Sequence, residues 1–130
     1  PKALKMNGQW LESALLHYSV YPLQEDINIK IVEAPYFLAL KMEAFGDRGQ
    51  GDFLHKDIED IVALFDGRDT LVAEVVNSKD ALLVAFIQER IRILERNLIE
   101  VVPAHLGNGP GERLRYPIVI DRIRSLAAFD

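Results

Sequence analysis

The stretch from Pro35 to Phe65, PYFLALKMEAFGDRGQGDFLHKDIEDIVALF, most constrains what this chain can fold into, because it sets charged residues where helical periodicity demands packing. Residues three and four apart share a helix face, so a helix starting near Pro35 gathers Phe37, Leu38, Lys41, Met42 and Phe45 on one stripe. Lys41 therefore sits among hydrophobes on its own face. The glycines between Gly46 and Asp52 break the pattern and predict a loop carrying Arg48. A second helix follows, with Ile58, Ile61, Val62 and Phe65 on its apolar stripe and Asp57 and Asp60 on its border. One lysine, one arginine and two aspartates converge on a helix pair.

The rest of the chain supports that pair. Residues 9–17 have helical composition, with Trp10, Ala14 and Leu15 as a short apolar stripe. Alternation over Tyr18–Leu23 and Ile27–Val32 predicts two strands, with Ile27, Ile29 and Ile31 on one side and Gln24-Glu25-Asp26 as the hairpin loop. Asp66-Gly67 should end the second helix through a left-handed glycine. Asp69 should then cap a short helix over Thr70–Val76. The longest helix begins at Asn77 or Ser78, buries Leu83, Ile87, Ile91, Leu94 and Leu98, and should stop at Pro103. Its other face, with Glu89, Arg90, Arg92, Glu95 and Arg96, reads as a solvated surface. Residues 107–111 form a flexible connection, and Pro117 should open a last helix packing Val119, Ile123 and Leu126. The expected fold is α+β but mainly α, a single domain over residues 1–130 with five to six helices and one small β-hairpin.

Composition sets limits on function. With 130 residues, 49% hydrophobic and 27% charged, the chain is long enough to bury one core. It has no cysteine, which rules out disulfides, thiol chemistry and cysteine-liganded zinc. A formal net charge of −5 argues against general nucleic-acid binding, which needs clustered cations. No apolar run approaches the roughly 20 residues a membrane helix needs, so the expectation is a soluble, cytoplasmic protein.

The sequence of motifs Pro-Tyr-Phe-Leu-Ala, Leu-Lys-Met-Glu-Ala-Phe, Asp-Arg-Gly and Lys-Asp-Ile-Glu-Asp-Ile-Val-Ala-Leu resembles the C-terminal half of minimal nucleotidyltransferases related to the AbiEii-type abortive-infection toxins, over roughly residues 28–75. The resemblance implies that Lys41 and Asp57 belong to recurring motifs of that family, with Arg48, Lys56 and Asp60 in matching places as a phosphate-facing or inherited site. It also implies a catalytic core upstream, a Gly-Ser turn followed by paired aspartates that bind magnesium. Neither a Gly-Ser dipeptide nor an Asp-x-Asp occurs in these 130 residues. Asp57-Ile58-Glu59 is no substitute, since helical residues two apart face different ways. In phosphoryl-group transfer the carboxylates hold the metal ions that neutralise the transferring phosphate. This chain alone is therefore expected to have no catalytic residues, no metal site and no need of magnesium or a nucleoside triphosphate, and to act as a binding or interaction module. The alternative is an active nucleotidyltransferase of toxin–antitoxin type whose metal-binding core comes from an upstream segment or a partner chain. A remnant without any ligand is the third reading.

Each candidate residue also has a plain structural role available. Lys41 can clamp two helices through Asp57 or Asp60. Arg48, near a helix C-terminus, suits phosphate but equally suits the helix dipole. The glycine loop can cradle phosphate or merely connect helices. His17, His55 and His105 lack metal-ligand spacing, and only His55 is close enough to the site to carry a proton. A two-stranded hairpin with free edges, flanked by Val20, Leu23, Ile27, Ile29 and Ile31, favours recruitment of another strand. A homodimer through the hairpin or the helix around Trp10 is expected, with another protein partner as the alternative.

Overall fold

The computed structural model describes residues 8–24, 27–49 and 51–129, with the side chains of 8–9, 21–24, 27–30 and 48 outside that description. Among these residues six helices and one hairpin follow in the order α1 (Gly8–Leu16), β1 (Tyr18–Gln24), β2 (Ile27–Val32), α2 (Ala34–Arg48), α3 (Lys56–Gly67), α4 (Leu71–Val76), α5 (Ala81–Leu106) and α6 (Pro110–Ala128). The expected α+β, mainly helical fold is the one observed. The strands pair antiparallel, Tyr18 opposite Val32 and Ser19 opposite Ile31, with an irregularity between Pro22 and Gln24. The expected hairpin-loop residues 25 and 26 lie outside the described residues.

One core runs through all the helices. Leu38 and Met42 of α2 meet Ile58, Ile61, Val62 and Phe65 of α3, and Leu83, Ile87, Ile91 and Leu98 of α5 close over them together with Val119, Ile123 and Leu126 of α6. Each set recurs at three- and four-residue spacing, which is why one face of each helix is buried. Trp10 and Ala14 of α1 join the core beside Tyr36 and Phe86. Leu15, expected on that stripe, is instead exposed. Tyr36 Oη donates to Asp80 Oδ2 at 2.7 Å, while Asp80 Oδ1 accepts from Leu83 N–H and caps α5. Burial, and then that bond to Asp80, push the phenol of Tyr36 well above its ordinary value.

Several helix ends differ from the expectation. Gly46, Asp47 and Arg48 lie inside α2, because the ladder closes one turn later with Gly49 N–H donating to Phe45 O. Glycine suits position 49, since a Cβ there would collide with the Phe45 ring and crowd the Phe45 carbonyl. Gly67 is not left-handed. The end of α3 is satisfied from outside, by Arg122 of α6 donating to Phe65 O and Asp66 O at 2.8 and 3.2 Å. Thr70, not Asp69, is the N-cap of α4, and its hydroxyl donates to Glu74 rather than to the helix backbone.

Asp80 rather than Asn77 or Ser78 starts α5, and the helix passes through Pro103 to Leu106. A proline so close to the end removes only the bond to the Ile99 carbonyl. Gly107, at φ 92°, makes the stop and donates its N–H to Pro103 O. Pro110 at the first turn opens α6, so the expected connection over residues 107–111 is shortened to 107–109 and its last two residues are helical. Pro117 is accommodated inside α6, where Tyr116 bonds to Gly107 O and the buried Val119, Ile123 and Leu126 hold the segment down. Arg92, expected on a solvated face, donates to Ala127 O and Phe129 O at 2.9 and 2.8 Å and satisfies the C-terminus of α6.

Candidate functional site

The charged cluster forms where α2 and α3 cross. Lys41 Nζ lies 3.6 Å from Asp57 Oδ1 and 2.8 Å from Asp60 Oδ2, so the helix pair meets through one cation and two carboxylates, as periodicity predicts. Lys41 keeps 20% of its side chain exposed, and its ammonium stands 5.5 Å above the Phe37 ring. Its four-carbon stem reaches past the apolar face while the charge stays at the rim. Asp57 is not on the border of α3 but inside the core, at 1% exposure. It precedes Ile61 by one turn and Phe65 by two, so it occupies a position on the buried stripe, and such a carboxylate persists only where cations and donors meet it.

Lys56 extends the cluster outward. Its ammonium touches Glu59 Oε1 at 2.9 Å and Asp60 Oδ1 at 2.8 Å, which makes Asp60 the bridge between Lys41 and Lys56. Partial burial pushes the Asp60 carboxyl up, but hydrogen bonds from Lys41 and Lys56 outweigh this and hold it below the usual carboxylate range. The bond to Asp60, and then that to Glu59, raise Lys56 above its ordinary value. Arg48 ends α2 by its backbone, and its side chain lies outside the described residues. The structure thus joins Lys41, Asp57, Asp60 and Lys56, and adds His55, the N-cap of α3, whose Nδ1 accepts from Asp57 N–H at 3.0 Å. His55 could have been found as a cap from its place one residue before the helix, but histidine is not among the residues usually favoured there.

An open groove of about 850 Å³ begins beside this cluster. It is lined by Ile31 and Val32 of β2, by Glu33, Ala34 and Phe37 at the start of α2, and by Leu64, Arg68 and Glu74. Phe37 and Leu64 also line a smaller cleft, about 280 Å³, that ends at Asp60. Of the lining residues, Arg68 makes a two-pronged contact with Glu74, at 2.6 and 2.9 Å. That contact, ahead of an opposing desolvation, holds the Glu74 carboxyl below its usual range.

Among the described residues the charged cluster does not suit the magnesium that the resemblance would imply. Asp57 and Asp60 are both engaged by Lys41, and among the described residues no three histidine, aspartate or glutamate side chains converge as a metal-binding group. His17 stacks on Tyr36 and His105 bonds to Phe53 O, both far in the chain from the cluster. Among the described residues no helix is long and apolar enough to cross a membrane. No protein-family model, no curated protein and no solved structure matches the chain.

Proposed function

We propose that this chain is a binding and interaction module, built like the C-terminal helical half of a nucleotidyltransferase of the abortive-infection type, and that it self-associates. One observation carries the interaction reading. Leu15, Leu16, Tyr18, Val20 and Ile31 are all exposed around the end of α1 and the hairpin, Ile31 on the hairpin face that lines the groove and Tyr18 and Val20 on the other. Apolar side chains gathered in one region mark a contact surface, whereas scattered ones do not. Free strand edges favour the same outcome, and a two-fold homodimer is the commonest closed solution.

In this reading the Lys41, Asp57 and Asp60 cluster is inherited from a nucleotide-handling ancestor and now holds α2 against α3. A buried carboxylate engaged by a lysine from the neighbouring helix supports that structural role directly. Lys41, Lys56 and Arg48 are the cations through which a phosphate-bearing ligand would be met. Light scattering after size exclusion, at micromolar concentration, is expected to give twice the chain mass. The double variant Val20→Lys with Ile31→Lys should give the monomer. A clean monomer for the unaltered chain overturns the self-association.

The chain alone is expected to transfer no nucleotide from labelled triphosphates in the presence of magnesium, since it carries no paired aspartates to hold the metal. Metal-dependent labelling that Asp57→Ala abolishes would instead support the alternative, an active nucleotidyltransferase whose site includes this cluster.

A further inference from the structure

His55 Nδ1 faces two groups of one residue. It accepts the Asp57 N–H at 3.0 Å and lies 3.4 Å from Asp57 Oδ2. The two contacts require opposite states of the same nitrogen. Accepting from an N–H needs the lone pair, so the neutral ring carries its proton on Nε2; donating to a carboxylate needs the proton on Nδ1. Histidine is the side chain whose ordinary pKa places this exchange near physiological pH, and with 28% of its side chain exposed the ring is reachable by solvent protons.

We propose that His55 is an acid-operated latch on the first turn of α3. Neutral, it caps the helix by accepting from Asp57 N–H. Protonated, it gives up that bond and donates from Nδ1 to the Asp57 carboxylate, so that Asp57 is shared between His55 of the connecting segment and Lys41 of α2. The proton comes from solvent and returns to it, and no other group need change its protonation.

The charged neighbours set the balance. Asp57 favours the imidazolium. Lys41 of α2, Lys56 of α3 and the positive end of the α3 dipole oppose it, while Asp60 and Glu59 sit farther along α3 and are themselves bound by Lys41 and Lys56. Before the ring, Asp52 is engaged with Leu54 N–H. From α2 the ring meets the edge of Phe45 at 6.3 Å between centroids. From α5, His105 is bonded to Phe53 O. With the carboxylate of Asp57 buried, a change in how it is shared alters the clamp between α2 and α3 without moving the apolar core. This inference needs no ligand and stands apart from the functional reading above.

Nuclear magnetic resonance of the full chain from pH 5 to 8.5 tests it. At high pH the ring nitrogens of His55 should show the Nε2–H tautomer, and the backbone amide of Asp57 should shift with the same midpoint as the ring. Asp57→Asn, which removes the carboxylate that the protonated ring would meet, should lower that midpoint. His55→Asn, whose side-chain oxygen can cap without titrating, should leave the Asp57 amide independent of pH. An Nδ1–H tautomer at pH 8.5, an Asp57 amide that ignores the ring, or an unchanged midpoint in Asp57→Asn overturns the latch. If Asp57→Asn does not fold, the tautomer and the His55→Asn comparison decide it by themselves.

Discussion

The α2–α3 pair and the β1–β2 hairpin are joined by the single residue Glu33, yet they are held in opposite ways. In the helix pair Leu38, Met42, Ile58, Ile61, Val62 and Phe65 are buried, and even the one charged residue on the inner face, Asp57, is almost fully enclosed. In the hairpin Val20 is 55% and Ile31 46% exposed, and of the described side chains only Val32 packs against the core. The helices derive their stability from side chains that meet other elements. The hairpin has its own ladder, which Glu33 N–H to His17 O at 3.1 Å extends, together with the packing of Val32. An isolated two-stranded ribbon is marginal in water, so the helical body can stand alone while the hairpin gains most from being covered.

The sharpest way to break this contrast is to remove a core side chain from the helix pair. Phe65→Ala should lower unfolding free energy by about 3–5 kcal/mol in urea titration, because Phe65 is fully buried where α3 packs on its neighbours. A loss below roughly 1 kcal/mol would show that the pair is not the centre of stability. Next comes the clamp. Lys41→Met should cost about 2–3 kcal/mol, less than the ~3–5 expected on breaking a fully buried pair, because Lys41 keeps 20% exposure and His55 remains beside Asp57. A double-mutant cycle with Asp57→Asn should return a clear coupling energy between the two positions. Strict additivity would mean that Lys41 and Asp57 do not interact in solution.

How much of this the sequence revealed follows from where the information lies. The Lys41 contact with Asp57 and Asp60 was legible because it depends only on two helical stripes meeting, and periodicity reports stripes. The burial of Asp57 was not, since its position on the stripe of Ile61 and Phe65 conflicts with its charge, and it takes neighbours such as Lys41 and His55 to offset the conflict. Helix ends failed for a related reason. Pro103 reads as a stop and Pro117 as a start, yet both lie inside helices, while Gly67 is expected to cap a helix whose carbonyls are in fact met by Arg122, more than fifty residues away. Local rules cannot see a donor that arrives from another helix. In the hairpin the reverse holds: strand alternation was read correctly, but alternation alone does not say which face is covered.

Acid should separate the two regions more gently. Asp60 in the helix pair and Glu74 lining the groove both have carboxyls held below their usual range in the fold. Groups of this kind contribute stability above the unfolded carboxylate pKa, and that contribution is lost as pH falls through the lower folded value. Thermal midpoints should therefore be flat with respect to these groups from about pH 5 upward and decline below about pH 4. Asp60→Asn should blunt the decline, and an unchanged acid limb in that variant would mean that Lys41 and Lys56 do not hold the carboxylate in solution.

The smallest effect is expected in the hairpin itself. Val20→Thr or Ile31→Thr keeps a β-branched residue suited to a strand and replaces a methyl or an ethyl group of a largely exposed side chain by a hydroxyl. Each should change the stability of the monomer by no more than about 0.5 kcal/mol, the range of ordinary surface positions. Measurement at protein concentrations too low for association isolates that intrinsic effect. Repeating it at high concentration should enlarge the difference, because association that buries these side chains stabilises the folded form by mass action. A loss above about 1 kcal/mol at low concentration would show that the hairpin carries folding energy within one chain and would erase the contrast with the helix pair. An effect that stays small at every concentration keeps the contrast and removes the hairpin face from the proposed contact surface.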